Sequence, residues 1–401
     1  MPACKRALAV LGVSLLMGAL AACGSSDDDG APGADAGGPS TAADGPGAEF
    51  RDRNLLVTAV CSAGANGGWL VSVDGWDPKT WQHESRAEFP VPVSVLATEQ
   101  QADASPKVRS GLVALCTSDP RGPLSRSTRD GEGDAASVRL ARSLFDRNFT
   151  KMAVVIRDGS GASHVGYVDR SGTLADLTAT DTGFGSTPRE QRAVLSPDGA
   201  DVWFSYRAGG AWKVGSRSTG GGDHSLTQRS TGDVPDLPLF LVGDPVHALI
   251  AYNVVVSPDG KRYSGWAPAD NNQDDVFAVP AGTAALTDAT PKVADNGCAG
   301  AVGWLDDSTL LCPVSLDENL AAVAVDGPQR NEQQPILPDT NRSNIGMVIS
   351  PDGAQVVFLS AAGTEREYWI AATRPGATPR KVERTGALSA LSDTAVFVEW
   401  C

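Results

Sequence analysis

Three copies of one tetrapeptide constrain this chain more than any other feature in it. Ser196, Pro197, Asp198 and Gly199 recur as Ser257, Pro258, Asp259 and Gly260, and again as Ser350, Pro351, Asp352 and Gly353. Each copy follows a short apolar run and precedes an alternating one, as in Val348-Ile-Ser-Pro-Asp-Gly-Ala-Gln-Val-Val-Phe358. Proline presets φ, the aspartate bonds the backbone ahead of it, and glycine accepts positive φ. The tetrapeptide therefore reverses the chain between two antiparallel strands. Its role is to build a fold, not to carry chemistry.

Weaker copies stand between and beyond these three. Phe145-Asp-Arg-Asn-Phe-Thr-Lys-Met-Ala-Val-Val-Ile156 places Asp-Arg-Asn in the turn, and Trp304-Leu-Asp-Asp-Ser-Thr-Leu-Leu311 places Asp-Asp-Ser there. Ser105-Pro-Lys leads into Gly111-Leu-Val-Ala-Leu115. With turns starting at residues 51, 105, 146, 196, 257, 306, 350 and 392, the steps run from 41 to 61 residues. Four-stranded propeller blades repeat at roughly this period, ~40–50 residues. A further strand follows in each unit: Trp69 to Gly75, Val165 to Asp169, Trp212 to Gly215, Val276 to Pro280, Ala322 to Gly327 and Tyr368 to Ala372. Short closing segments such as Leu174-Ala-Asp-Leu-Thr178 and Ala285-Leu-Thr287 complete several of them.

These residues resemble the WD40-like repeats of the TolB family. There a Ser-Pro-Asp-Gly hairpin is followed by an aromatic-rich strand, an acidic-glycine turn and a Leu-Thr strand. The resemblance covers most of residues 50 to 401. It implies an all-β fold, a single β-propeller of four-stranded antiparallel blades. It departs from TolB itself in carrying a lipid-anchor signal and in leaving no room for that protein's N-terminal α/β domain, which argues against a Tol–Pal role. The last unit, Ala387 to Cys401, has two strands, and the first, from Phe50, lacks the strand before its turn. Joining them into one blade closes the ring and removes exposed edges. That gives seven blades, with six and eight as alternatives. Both ends carry a strand expected to follow a turn, Leu55 to Val60 and Thr394 to Trp400, where one blade needs one.

The N-terminus is of another kind. Lys5 and Arg6 precede the uncharged apolar run Ala7 to Ala19, which has the length of a secretory signal and is too short to span a bilayer. Leu20, Ala21, Ala22 and Cys23 then form a lipobox, so cleavage is expected before Cys23 with diacylglycerol on its thiol. Residues 25–48 contain no aromatic residue and no Leu, Ile or Val, and cannot bury enough surface to fold. The expected division is a signal peptide at 1–22, a lipidated cysteine with an acidic leash at 23–49, and a propeller at 50–401. The chain carries a net charge of −15, which becomes −17 on loss of Lys5 and Arg6 and −11 for the body without its six leash carboxylates. An acidic body argues against nucleic acid and against docking on anionic lipid heads.

Five of the seven cysteines remain in the body: Cys61, Cys116, Cys298, Cys312 and Cys401. In an exported protein disulfides persist. Cys298 and Cys312 flank a hairpin and are expected to pair. Cys61 and Cys401 end the two closing strands, so a bridge stapling the closure is one expectation, and Cys61 with Cys116 is its rival. No Cys-x-x-Cys pair points to metal or redox chemistry.

Enzyme signatures are absent: there is no Gly-x-Ser-x-Gly, His-Glu-x-x-His, Gly-x-Gly-x-x-Gly or P-loop. His83, His164, His224 and His247 lie in different units. The best local cation candidate is Asp270-Asn-Asn-Gln-Asp-Asp275, with Asp270, Asp274 and Asp275 offering oxygens to calcium. It lacks the glycine at the sixth position of a calcium loop, and Ala281 stands where the bidentate glutamate belongs. A solvated hairpin tip is the stronger reading, and no cofactor is expected. Trp76, Trp81 and Trp266 are candidate exposed platforms for carbohydrate, against blade packing as the commoner use. The expected function is a non-catalytic, membrane-tethered, extracytoplasmic scaffold that binds a protein or cell-envelope polymer. The alternatives are an extracytoplasmic lyase or glycoside hydrolase with dispersed acid–base residues, and an accessory to a membrane sensor kinase.

Overall fold

The computed structural model describes residues 48–50, 53–97, 110–116, 138, 141–178, 190–196, 198–208, 211–222, 224–228, 254–268, 274–280, 293, 298, 301–313, 319–338, 342–362, 365–392 and 394–401. The chain forms antiparallel sheets one after another. The first holds β1 (Leu56–Ala63), β2 (Trp69–Trp76) and β3 (His83–Val91), and the second β4 (Lys151–Arg157), β5 (Ser163–Asp169) and β6 (Leu174–Asp176). The third holds β7 (Glu190–Leu195), β8 (Asp201–Ala208), β9 (Ala211–Ser218) and β10 (Thr227–Gln228). The fourth holds β11 (Val254–Val256), β12 (Arg262–Pro268) and β13 (Asp274–Pro280). The fifth holds β14 (Gly303–Asp306), β15 (Thr309–Pro313), β16 (Leu320–Ala324) and β17 (Gln333–Pro335). The sixth holds β18 (Ser343–Ile349), β19 (Gln355–Ala362), β20 (Glu365–Ala372) and β21 (Arg380–Lys381). The last strand, β22 (Val396–Trp400), returns to the first sheet and pairs with β1, Leu56 opposite Trp400 and Ala59 opposite Val396.

Apolar clusters join the second sheet to the third, the fourth to the fifth and the fifth to the sixth, and one large cluster joins the sixth, first and second. Inner strands of neighbouring sheets touch, β4 with β7, β11 with β14, β14 with β18 and β18 with β22. This is a β-propeller, closed where the two ends of the chain share a sheet. Strand composition follows position in the blade. Within β4 all five residues from Met152 to Ile156 are buried, as an inner strand covered on both faces requires. β3 buries alternate residues Ser85, Ala87, Phe89 and Val91, and it carries Pro90 where an outer edge tolerates the missing N–H.

The Ser-Pro-Asp-Gly turns share one hydrogen-bond pattern. In the third copy the Ser350 N–H donates to the Gln355 carbonyl (2.9 Å) and the Gly353 N–H to the Ser350 carbonyl (2.8 Å). The Ser350 hydroxyl donates to Asp352 Oδ1 (2.5 Å), which also accepts from the Ala354 N–H, while Ser350 Oγ accepts from the Gln355 N–H. Ser196 with Asp198, and Ser257 with Asp259, repeat every one of these bonds. The glycines hold φ of 68°, 70° and 68° at Gly199, Gly260 and Gly353. Pro258 and Pro351 sit in their turns, and Pro197 lies outside the described residues. The serine hydroxyl beside each aspartate lowers its pKa, in Asp259 from 3.8 to about 2, and in Asp198 and Asp352 in the same direction. The degraded copy at Asp146 keeps the frame: its N–H donates to the Lys151 carbonyl, and Phe149 takes the glycine position at φ 51°.

Two expectations are corrected. The segment from Gly111 does not open a sheet of its own: Gly111–Ala114 is a 3-10 turn, and the described residues form six sheets. The cause lies in the second sheet, whose inner position is split. Leu96 N–H bonds the Val155 carbonyl and Ala153 N–H the Leu144 carbonyl, so residues 94–96 and 144–146 each cover half of β4. Described residues 110–116 lie between them in the chain and outside that strand. Second, β22 does not follow a turn in its blade; it takes the first-strand place that β18 holds in the sixth sheet, and β1 takes the second. One strand from each end then suffices.

The glycine positions give a graded test. A methyl at Gly260 meets nothing within 4 Å, whereas at Gly353 it falls 2.0 Å from the Leu305 carbonyl oxygen of the neighbouring sheet. Gly260→Ala should cost about 1–2 kcal/mol from its left-handed backbone alone. Gly353→Ala should cost clearly more, read as the difference in urea midpoints.

Candidate functional site

The folded body begins at a built seam between the first and second sheets. Phe50, 3% exposed, stacks on Phe149 at 4.9 Å, and Phe149 in turn packs on Phe145. The Ser85 hydroxyl donates to the Glu49 carbonyl (2.6 Å), and Arg170 pairs with the Glu49 carboxylate. Arg170 also donates to the carbonyls of Phe149 and Asn148 and lies over the Phe50 ring. Arg53 bonds Glu84 at 2.5 Å. Phe149 explains its own backbone. An aromatic residue in the left-handed region is strained, and here it buys the ring contact that seats Phe50. Beside it, Arg142 lies over the Phe149 ring and bonds Glu399 of β22 (2.5 Å), so the seam also touches the closing strand.

Two charged clusters lie on the second and third sheets. Glu190 and Arg217 are both fully buried and joined at 2.8 Å, with the Val165 N–H and the Thr178 hydroxyl completing the carboxylate's partners. Burial pushes the Glu190 carboxyl up from its ordinary value, and the Arg217 guanidinium opposes that shift. A buried pair so completely bonded reads as a rivet between sheets. His164 on β5 stands between two carboxylates, Asp176 at 2.8 Å from Nδ1 and Asp158 at 3.6 Å from Nε2. Its bond to Asp176 raises its pKa above 6.5 against the cost of desolvation. No group of three or more His, Cys, Asp or Glu among the described residues can hold a metal ion.

A segment described between the first and second sheets in the chain, residues 110–116, also makes contacts between sheets. Cys116 is bridged to Cys61 on β1, Leu112 and Leu115 are buried in the same cluster, and the 3-10 turn at Gly111–Ala114 touches β7 of the third sheet. Residues 110–116 therefore link the first sheet to the third. The second bridge joins Cys298 to Cys312.

The expected bridge between Cys61 and Cys401 is not formed. β1 and β22 run antiparallel, so Cys401 sits opposite Leu55 at the start of β1 while Cys61 lies toward its other end. Leu20, Ala21, Ala22, Cys23, His247 and Asp270 lie outside the described residues, and Asp274 and Asp275 open strand β13. Trp76 is no exposed platform: it is 3% exposed, with Nε1 donating to the Thr58 hydroxyl (2.9 Å). Trp81 is partly buried on the same cluster, and Trp266 lies on β12. Sequence reasoning missed Glu49, Arg170 and the Glu190–Arg217 pair. The one signal available was the phenylalanine in the glycine place of the Asp146 turn.

No family model matches the chain, and no curated protein matches it. Solved structures do. TolB from Acinetobacter baumannii is similar at 14% identity over 83% of this chain and 81% of that one, with a TM-score of 0.33. The β-propeller domain of the Trilobed protease from Pyrococcus furiosus, described as having an open velcro topology, is similar at 10% identity over 83% and 96%, with a TM-score of 0.39. An oligogalacturonate lyase in complex with manganese is similar at 11% identity over 82% and 72%, with a TM-score of 0.37. TolB is thus among the propellers this chain is similar to. The assignment of the fold rests on the sheets and closure of the chain itself.

The His164 cluster predicts a pH dependence. A histidine whose pKa is raised on folding adds stability that is complete below its ordinary value of 6.5 and lost as pH climbs through the folded value. Thermal midpoints should fall on that alkaline side in the wild type, and His164→Gln should flatten the slope.

Proposed function

We propose that the protein is an extracytoplasmic lipoprotein whose propeller is a non-catalytic scaffold for a protein or cell-envelope ligand. The observation that carries this reading is the pairing of a lipobox with a leash that ends on a built seam. Leu20, Ala21, Ala22 and Cys23 supply the processing site. Residues 25–48 have no apolar side chain larger than proline or alanine. The first described residues of the chain, Ala48–Phe50, are docked on the body through Phe50 and Glu49. Two disulfides support an oxidising compartment. Several acyl chains on one cysteine give firm anchoring that one chain does not. The titratable clusters favour a scaffold over an enzyme. Glu190 spends its oxygens on Arg217, Thr178 and Val165, and both ring nitrogens of His164 face carboxylates.

Cys23→Ser should move the protein from the membrane fraction to the soluble one while leaving its thermal midpoint unchanged. Crosslinking of the wild type in intact cells should recover a partner that Cys23→Ser recovers less. A wild type that fractionates as soluble removes the anchor. Turnover of a purified glycan with no partner recovered removes the scaffold.

A further inference from the structure

We infer that the end of the ring bearing the Ser-Pro-Asp-Gly turns faces the bilayer, and that the opposite end faces away and is open to a partner. The inference rests on the anchor reading above and adds to it the direction in which the body hangs.

The point where the leash joins the body fixes this. Every group that seats Glu49 and Phe50 belongs to the turn end. Phe149 is in the Asp146 turn, Arg170 follows the last residue of β5, and Ser85 stands near the start of β3, just after the connection from β2. That connection, the Asp146 turn and the turns at Ser196, Ser257 and Ser350 all leave the sheets at the same end, because first and third strands run toward it in every blade. The opposite end carries the returns from β1 to β2, β4 to β5, β15 to β16 and β19 to β20. The seam also isolates the closure. Tension on the leash is borne by Phe50 and the Arg170–Glu49 pair before it reaches Leu56, the first residue of β1 to pair with β22.

Two magnitudes keep the body from turning over. Twenty-five residues lie between Cys23 and Glu49, and a Gly-rich chain of that length has a root-mean-square span of about 25–30 Å. Strands such as β8 and β19 contain eight residues, which makes the ring roughly 25 Å deep. Bringing the opposite end to the bilayer would use the whole mean reach of the leash to climb the outside of the body. Charge does not reverse this. Asp198, Asp259 and Asp352 sit at the turn end, each bonded by its serine hydroxyl, and they repel anionic headgroups. Such repulsion fades within about 8 Å at physiological salt, well inside the leash's span. It holds the turn end off the surface without inverting the body.

The test uses the full lipidated protein in phosphatidylcholine–phosphatidylglycerol vesicles that carry a headgroup acceptor dye. Donor labels are placed by Gln329→Cys at the turn end and by Ala65→Cys at the opposite end, both exposed positions, in a Cys401→Ser background. Transfer from the Gln329 site should exceed that from the Ala65 site roughly twofold, for positions about 25 Å apart in depth. Equal or reversed transfer in the parent overturns the inference. Vesicle binding that survives Cys23→Ser would instead sink the anchor reading itself, before the two labels are compared.

Discussion

Everything in this fold depends on the pairing of β1 with β22. A row of twisted sheets has two open edges, and open edges invite pairing with other chains. Here Leu56 to Ala59 and Val396 to Trp400 come from opposite ends of the chain and complete one four-stranded sheet. Once they pair, the sixth sheet can pack on the first, and one apolar cluster runs from Ile370 and Val357 through Val398 and Leu56 to Met152. The closure is reinforced from several sides. Arg142 bonds Glu399, Trp400 Nε1 bonds Asn54 (2.8 Å), and Leu55 and Cys401 exchange backbone hydrogen bonds. The Cys61–Cys116 bridge adds a covalent link to the same sheet, closing 55 residues of chain. A loop of that length is worth about 4 kcal/mol in the chain-entropy picture.

The turns repeat because their chemistry is local; the blades differ because their packing is not. In each full turn the serine and aspartate satisfy the backbone on their own, so the unit can be copied anywhere two strands must reverse. Between sheets the solutions are individual. Lys151 reaches the Gly199 carbonyl and the Thr219 hydroxyl across to the third sheet, the Glu190 carboxylate of the third accepts from the Val165 N–H and Thr178 hydroxyl of the second, and Arg262 bonds Asp326 between the fourth and fifth.

That division explains what the sequence disclosed. The three Ser-Pro-Asp-Gly turns, the strands after them and the return of the last strand to the first sheet were legible, because turn residues and alternation are short-range signals. The segment around Gly111 misled for the same reason: Ser105-Pro and an apolar run look like a turn and strand, yet β4 already had its inner partners in residues 94–96 and 144–146. Thr394 to Trp400 looked like a second strand because its place depends on β1, more than 330 positions away in the chain. Of the seam, only Phe149 left a trace, as a bulky residue where the pattern asks for glycine. Glu49, Arg170 and Ser85 meet through topology, which no local pattern encodes. The opposed charges on Glu190 and Arg217, 27 residues apart, likewise become a pair only when β7 and β9 flank β8 in one sheet.

The proposed lipid anchor at Cys23 is what ties the ring to a membrane. Intact mass of the protein extracted from native membranes addresses it directly. The account predicts a chain that begins at Cys23, lighter by residues 1–22 and heavier by a diacylglyceryl group. A chain that retains Met1 to Ala22, or one that starts beyond Cys23 without lipid, would contradict it.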